Sequence, residues 1–161
     1  LRGLQELDRL APLLEAVQRE AGPVPVLVKI APDLTDEQAE RIAALVARLG
    51  LAGIVATNTT LSRAGLRTDP ELVERAGAGG LSGPPLAARS LELLRLLRAA
   101  LPADVCIVSV GGVETAADVR ARLDAGATLV QGYTAFLYAG PLWARRINRG
   151  LERISSGTAR A

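Results

Sequence analysis

The sequence predicts an α/β fold built on a parallel β-sheet. Short runs of β-branched residues alternate with amphipathic helical segments, and this alternation is typical of parallel sheets. The 161 residues are enough for one domain with a core, but a complete eight-fold (β/α) barrel typically needs ~250. Because the four predicted strands do not close a barrel, the chain forms either a small open sheet or part of a larger barrel. The first helix has no predicted strand before it, and this favours part of a larger barrel.

The first three elements each have a distinct sequence signal. Apolar residues spaced three and four apart predict a helix over residues 4–20. A β-branched run over 26–30 predicts a strand that is buried on both faces. Thr35 followed by Gln38 has the pattern of a capping box, so a helix is expected to begin there and to extend over 36–49.

A long polar stretch separates the second strand from the helix that follows it. The strand is predicted over residues 53–57 and the helix over 86–101. The intervening residues 61–85 exceed the ~2–6 residues usual for a connection in an α/β unit, and long loops of this kind usually serve a binding function. A third strand over 105–110 ends at two glycines.

The last part of the chain repeats the strand and helix alternation. Thr115 is the expected cap of a helix over 116–124. A fourth strand is predicted over 128–131, and a final helix over 142–154. The predicted order is therefore one helix followed by four βα units.

Ligands of parallel α/β folds bind at the carboxyl ends of the strands, so the residues there are the candidate site. Polar or glycine residues stand at 29, 57–60, 111–112 and 132–134. Lys29 is the chain's only lysine and lies inside an apolar strand. A buried ammonium needs an anionic or polar partner. Lys29 therefore contacts a ligand, or it reaches past the strand end or pairs with a carboxylate such as Asp33.

The residues after the second strand are suited to hydrogen bonding. Asn58 offers an amide donor and acceptor, and Thr59 and Thr60 add hydroxyls. Such a set can recognise a planar heterocycle with carboxylate and amide edges. The same residue types are common in turns, so both interpretations remain open.

Two glycine-containing turns predict a phosphate site. Gly111 and Gly112 precede a capped helix, and glycines let an anion approach backbone N–H groups. Residues 132–134 repeat this arrangement after the next strand, and barrels often hold phosphate between their last two βα loops. The glycine-rich residues 77–83 lack the spacing and the preceding strand of a dinucleotide loop, so we interpret them as a loop that closes over a ligand.

Composition excludes several other classes of function. The chain has no histidine, which excludes His-dependent nucleophilic triads and His-ligated metal sites within it. No metal site is predicted, because Asp33, Asp36 and Glu37 are explained by the electrostatics of a helix start. Cys106 is the single cysteine, so no intrachain disulfide forms. Aromatic residues are 2% of the chain, which argues against nucleic-acid binding despite the basic pI of about 9.2. No apolar run is long enough to span a membrane.

Five motifs occur in the order in which they stand in one enzyme family. The chain resembles the C-terminal half of class 2, quinone-dependent dihydroorotate dehydrogenase, and the resemblance covers nearly all of it. The fold that this implies is α/β: four consecutive C-terminal βα units of a TIM (β/α)8 barrel, forming a single incomplete domain over 1–161. The motifs are VLVKIAPDL at 26–34, ATNTT at 56–60, GGLSGPPL at 79–86, VSVGGV at 108–113 and LVQGYT at 129–134.

The resemblance implies a role for individual residues toward the cofactor FMN and the substrate. Lys29 corresponds to the lysine that contacts the flavin ring, where its charge would stabilise the reduced flavin. Asn58 and Thr59 correspond to the pair that binds the pyrimidine and carboxylate of the substrate. The remaining cofactor-binding positions are the flavin-contacting Thr57, Gly83 and Gly112, the neighbouring Gly111, and the phosphate-binding Tyr133 and Thr134.

The reaction implied is the oxidation of dihydroorotate to orotate in pyrimidine biosynthesis, with a quinone reoxidising the flavin. The family's catalytic base is a serine in a segment whose last two residues match Leu1 and Arg2. We therefore expect no catalytic base in this chain, and none of its serines at 62, 82, 90 and 109 matches one. The N-terminal half of the barrel and the membrane-associating helices are also expected to be absent, so the chain alone is expected to be inactive. The complete protein is expected to lie peripherally on the cytoplasmic face of a bacterial inner membrane.

Two alternative functions are compatible with the same residues. Lys29 could be the nucleophile of a Schiff-base lyase on a barrel, which borohydride trapping would reveal. The chain could also be a non-catalytic module that binds FMN or phosphate. Such a module would show no turnover even when the upstream half is supplied.

Overall fold

The structure, a computed structural model, describes residues 7–158 and the side chains of residues 8–156. Within that range, no helix is both long and apolar enough to cross a bilayer. The elements are α1 (Leu7–Ala21), β1 (Leu27–Ile30), α2 (Asp36–Leu49), β2 (Gly53–Ala56), α3 (Pro70–Arg75), α4 (Ala87–Ala100), β3 (Cys106–Val110), α5 (Ala116–Asp124), β4 (Leu129–Gln131), α6 (Thr134–Ala139) and α7 (Trp143–Thr158).

The four strands form one parallel sheet in the order β1-β2-β3-β4. Lys29 is paired with Val55, and Val55 with Val108, so these three side chains share one face. Each strand lies beside the one before it, and right-handed crossovers then put the helices on one side. A doubly wound sheet reverses its strand order and has helices on both sides. The prediction of about four consecutive βα units of a barrel is confirmed.

The core lies between the helices and one face of the sheet. Ile30, Ile54 and Ile107 are completely buried in a cluster with apolar residues of α2 and α4. On the opposite face, Leu27 is 37% exposed and Leu129 is 59% exposed. The prediction of a first strand buried on both faces is therefore wrong for this chain. Successive strand residues point to opposite faces, and in the described residues the helices pack on only one of them.

Both predicted helix caps are confirmed. The Thr35 hydroxyl accepts from the Gln38 N–H at 3.2 Å, and the Gln38 side chain accepts from the Thr35 N–H at 2.9 Å. Thr115 and Asp118 form the same reciprocal pair at the start of α5. These contacts satisfy backbone donors that have no partner within the first turn of a helix.

The Asp118 cap predicts a pH-dependent contribution to stability. Burial raises the pKa of Asp118, but hydrogen bonds from the Thr115 N–H and hydroxyl and from the Glu114 N–H outweigh it, and the pKa is lowered overall. A carboxyl with a lowered pKa stabilises the fold above its ordinary value of about 3.9, and this contribution is lost as the pH falls through the folded-state pKa.

Asp118→Asn is accordingly expected to lower the free energy of unfolding at pH 6 by at most about 1 kcal/mol, since the site is largely solvated. Urea titrations at pH 6 and at pH 2.5 measure the difference. The gap between the variant and the unaltered chain should shrink at the lower pH, and a gap that widened on acidification would contradict the assignment.

Two short helices were not predicted from the sequence, and one predicted helix start is not tested. The predicted start of the first helix at Leu4 lies outside the described residues. The polar stretch 61–85 contains α3, which has no buried residue and hence no apolar periodicity to reveal it. Helix α6 is six residues long and leaves Leu137 and Tyr138 exposed. Neither short helix shows the one-sided apolar pattern on which the sequence prediction rests.

Candidate functional site

One cavity at the carboxyl ends of the strands contains every residue that the family resemblance assigns to the site, while the further candidate Thr60 lies outside it. Residues from four strand ends and from the long loop meet there, because parallel strands in consecutive order end at the same edge of the sheet. The predicted residues that line this cavity are Lys29, Thr57, Asn58, Thr59, Gly83, Gly111, Gly112, Tyr133 and Thr134.

The end of β2 is held between its two neighbouring strands. The Thr57 N–H donates to the Val110 carbonyl at 2.8 Å, and the Asn58 N–H donates to the Ile30 carbonyl at 2.7 Å. Thr57 is buried, while Asn58 is exposed. The Asn58 Oδ1 accepts from the Thr59 N–H at 2.8 Å, which orients the side-chain amide. This corner therefore presents an exposed amide beside a threonine on a backbone that is fixed from both sides.

Lys29 lies on the uncovered face of β1. Val28 and Ile30 on either side of it are buried, whereas Lys29 is exposed. The prediction of a buried ammonium is therefore wrong for this chain, because the face onto which Lys29 points is open. Its side chain still lines the cavity, as the ligand-contact interpretation requires.

Asp33 holds the start of the long loop. Its carboxylate accepts from the Thr60 hydroxyl and from the Leu61 N–H, the second at 3.1 Å. Thr60 and Leu81 then form an antiparallel bridge that joins the two ends of the loop. This bridge brings Ser82 and Gly83 to the cavity.

The double-glycine turn after β3 requires glycine at both positions. Gly111 and Gly112 have φ values of 123° and 65°, which side chains rarely adopt. A Cβ atom at Gly112 would lie 2.6 Å from the backbone of Ala87, at the start of α4. The turn thus packs directly on α4 and leaves its other side to the cavity.

The turn after β4 contacts Trp143 and, through Thr134, the long loop. A Cβ atom at Gly132 would lie 2.2 Å from the Trp143 ring, whose Nε1–H donates to the Glu114 carbonyl at 2.9 Å. The Thr134 hydroxyl donates to the Ser82 hydroxyl at 2.9 Å. The two glycine turns and residue 82 of the loop are therefore held around one space, as the phosphate prediction requires.

Arg122 is the important residue of this region that the sequence analysis missed. It is 2% exposed, and its guanidinium donates to Ser109 Oγ at 2.8 Å, Ser90 Oγ at 2.9 Å and the Gly111 carbonyl at 2.6 Å. Burial lowers the pKa of Arg122, and the charge of Asp118 opposes that effect. Its position three residues after Val119, on the buried face of α5, was the available sequence signal.

Known proteins that match this chain belong to the same family that its motifs resemble. The sequence profile of the dihydroorotate dehydrogenase family matches residues 1–154. A relative from Clavibacter michiganensis subsp. michiganensis, named dihydroorotate dehydrogenase (quinone), is 71% identical over 154 residues, or 96% of this chain and 45% of the relative. A relative of the same name from Leifsonia xyli subsp. xyli is 69% identical over 156 residues, or 97% of this chain and 46% of the relative.

Solved structures give the same result for the fold. The crystal structure of DHODH from Eimeria tenella in complex with ferulenol matches with a TM-score of 0.88 and 34% identity. That match covers 98% of this chain and 47% of the other. The chain spans just under half the length of the curated relatives it matches. Its match to the family's sequence profile, its relatives and its sheet of four consecutive parallel strands show that the chain belongs to the dihydroorotate dehydrogenase family.

Proposed function

We propose that this chain forms the flavin-holding half of an enzyme that oxidises dihydroorotate to orotate with a quinone as electron acceptor, in de novo pyrimidine biosynthesis. The observation that supports the proposal is the single cavity that combines a cation, an exposed amide and two glycine turns. Close relatives carry the name dihydroorotate dehydrogenase (quinone).

FMN is the cofactor that suits these groups. Gly111 and Gly112 have no side chain between their backbone and the cavity, so their N–H groups can approach a phosphate. Tyr133 and Thr134 extend the phosphate site from the neighbouring turn, and Thr57 and Gly83 border the space for the ring. When bound, FMN would take up the two electrons removed from dihydroorotate and pass them to the quinone.

Lys29, Asn58 and Thr59 have different roles in this proposal. The Lys29 ammonium stabilises negative charge on the flavin ring by Coulomb attraction. Asn58 and Thr59 bind the pyrimidine and carboxylate edges of dihydroorotate by hydrogen bonds. Asn58 is exposed and Thr59 half-buried where both line the cavity, which is consistent with contact to a ligand that enters and leaves.

The base that removes the substrate proton is proposed to be a serine upstream of Leu1, as the resemblance implies. Two serines of this chain near the site have another role, because Ser90 and Ser109 are completely buried and accept hydrogen bonds from Arg122. The complete enzyme is proposed to act peripherally at the cytoplasmic face of a bacterial inner membrane, where it meets its quinone.

Titration with FMN tests the cofactor directly. Trp143 is the only tryptophan of the chain and packs on the Gly132 turn, so bound flavin should quench its emission. We expect saturable quenching together with a change in flavin fluorescence. The same titration is run on a chimeric barrel, in which the Clavibacter relative supplies the part of its sequence that this chain does not match.

The chimeric barrel also tests the reaction. We expect it to reduce a quinone with dihydroorotate as donor, while this chain alone does not turn over. FMN binding without turnover in the chimeric barrel would favour the non-catalytic module. Absence of FMN binding to both proteins would overturn the proposed function.

A further inference from the structure

The buried guanidinium of Arg122 lies directly behind the double-glycine turn. Helix α5 directs Arg122 inward, and the side chain reaches the end of β3 and the start of α4. Its acceptors are the hydroxyls of Ser109 and Ser90 and the carbonyl of Gly111, at 2.6–2.9 Å, and the carbonyl of Ala87 at 3.3 Å. The Ser90 hydroxyl also donates to the Gly111 carbonyl at 2.9 Å. That carbonyl is thus held by two donors on the side away from the cavity.

The geometry of the peptide unit transfers this constraint to the cavity. The Gly111–Gly112 peptide bond is trans, since the cis bond of the described chain is Ala56–Thr57. In a trans peptide the carbonyl and the following N–H point in opposite directions. With the Gly111 carbonyl directed at Arg122, the Gly112 N–H is directed toward the side on which both glycines line the cavity. A charged donor on the carbonyl also polarises the amide, which strengthens the N–H as a donor.

The charge of Arg122 also favours an anion in the cavity. Its hydrogen-bond acceptors are hydroxyl and carbonyl oxygens, which carry no net charge, and the attraction of Asp118 only partly offsets its burial. A cation that is 2% exposed has lost most of its hydration. Coulomb attraction at such a site is screened less than at the surface, so a phosphate on the other side of the turn would stabilise the charge.

We propose that Arg122 is a positioning residue that makes the site selective for a flavin bearing a phosphate, by orienting the Gly112 N–H and by its buried charge. This inference rests on the proposed function. Its alternative is that Arg122 only joins β3, α4 and α5 mechanically. The two differ in one respect: a mechanical role affects every ligand of the cavity equally, whereas a phosphate role changes the preference for FMN over riboflavin.

The experiment measures the affinities of FMN and riboflavin for the unaltered chain, Arg122→Met and Arg122→Lys, by Trp143 and flavin fluorescence. We expect the FMN-to-riboflavin preference to fall about 10-fold in Arg122→Met, the size of a lost hydrogen bond to a charged group, with riboflavin affinity little changed. Arg122→Lys keeps the charge but lacks the planar fork that reaches several acceptors, so a smaller fall in the preference is expected.

Arg89→Met is the matched control. Arg89 is partly buried, donates to the carbonyls of Pro32 and Leu34 at 3.3 and 2.7 Å and pairs with Asp36 at 2.8 Å, but it does not line the cavity. Its loss should leave the preference unchanged. An equal fall of both affinities in Arg122→Met, or an unchanged preference, would overturn the role of Arg122.

Two further outcomes remain decisive. If circular dichroism shows that Arg122→Met does not fold, Arg122→Lys and Ser109→Ala carry the test, and an unchanged preference in both overturns the proposal. If the unaltered chain and the chimeric barrel bind no FMN, the proposed function itself fails. FMN binding with no effect of the Arg122 variants rejects only the role of Arg122.

Discussion

Replacing Lys29 with alanine in the chimeric barrel is expected to lower the rate of flavin reduction by dihydroorotate by about 10²–10³-fold, the usual effect of removing one preorganised electrostatic contact. Lys29 is the only lysine of the chain, and it lies on the face of β1 that lines the cavity. Stopped-flow absorbance at the flavin band measures the rate, and the flavin content of the purified protein is determined beside it.

Two controls accompany the Lys29 variant. Lys29→Arg keeps a positive charge at the same position and should recover part of the rate. Arg145→Ala removes an exposed cation of α7 that does not line the cavity, and should leave the rate unchanged. Normal reduction in Lys29→Ala with full flavin content would show that Lys29 has no role in the reaction.

Gly112→Ala is expected to weaken FMN binding at least tenfold and to lower the free energy of unfolding by about 1–3 kcal/mol. The residue has a φ of 65°, and an added Cβ would lie 2.6 Å from the backbone of Ala87. Because Ala87 begins α4, the helix cannot yield locally, and the turn itself must shift. The shift moves the N–H groups that are proposed to face the phosphate. Isothermal titration and urea unfolding give the two quantities.

Gly79→Ala is the matched control for the glycine variant. Gly79 lies in the glycine-rich loop but does not line the cavity, and an added Cβ there would meet nothing within 4 Å. We expect unaltered FMN affinity and a change in stability within about 0.5 kcal/mol. If Gly112→Ala behaved like Gly79→Ala, the double-glycine turn would not be the phosphate site.

The elements that the sequence predicted well are those with local signals. The capping boxes at Thr35 and Thr115 depend on contacts within four residues of chain, so the residue pattern carries them completely. The strands were found because β-branched runs bounded by glycine or polar residues have few alternatives. Helices α3 and α6 were missed because short helices without a buried stripe have no periodic signal.

The site was predicted from one rule of topology rather than from side-chain geometry. Consecutive parallel strands end at one edge, so residues after four separate strands had to converge there. This rule does not predict the hydrogen bonds that hold the double-glycine turn from the side away from the cavity. Arg122 was not among the predicted site residues, because sequence spacing does not show that Ser90 and Ser109 approach it from two other elements.

The sequence by itself determined the fold class, the polar and glycine residues that follow each strand, and the family, because these follow from local patterns and motif order. Only the tertiary structure decided which face of the sheet is covered, and therefore that Lys29 is exposed in this chain. It also decided that a buried arginine holds the Gly111 carbonyl. Both are long-range facts: burial depends on which elements pack together, and a hydrogen bond across elements depends on distances that sequence spacing does not encode.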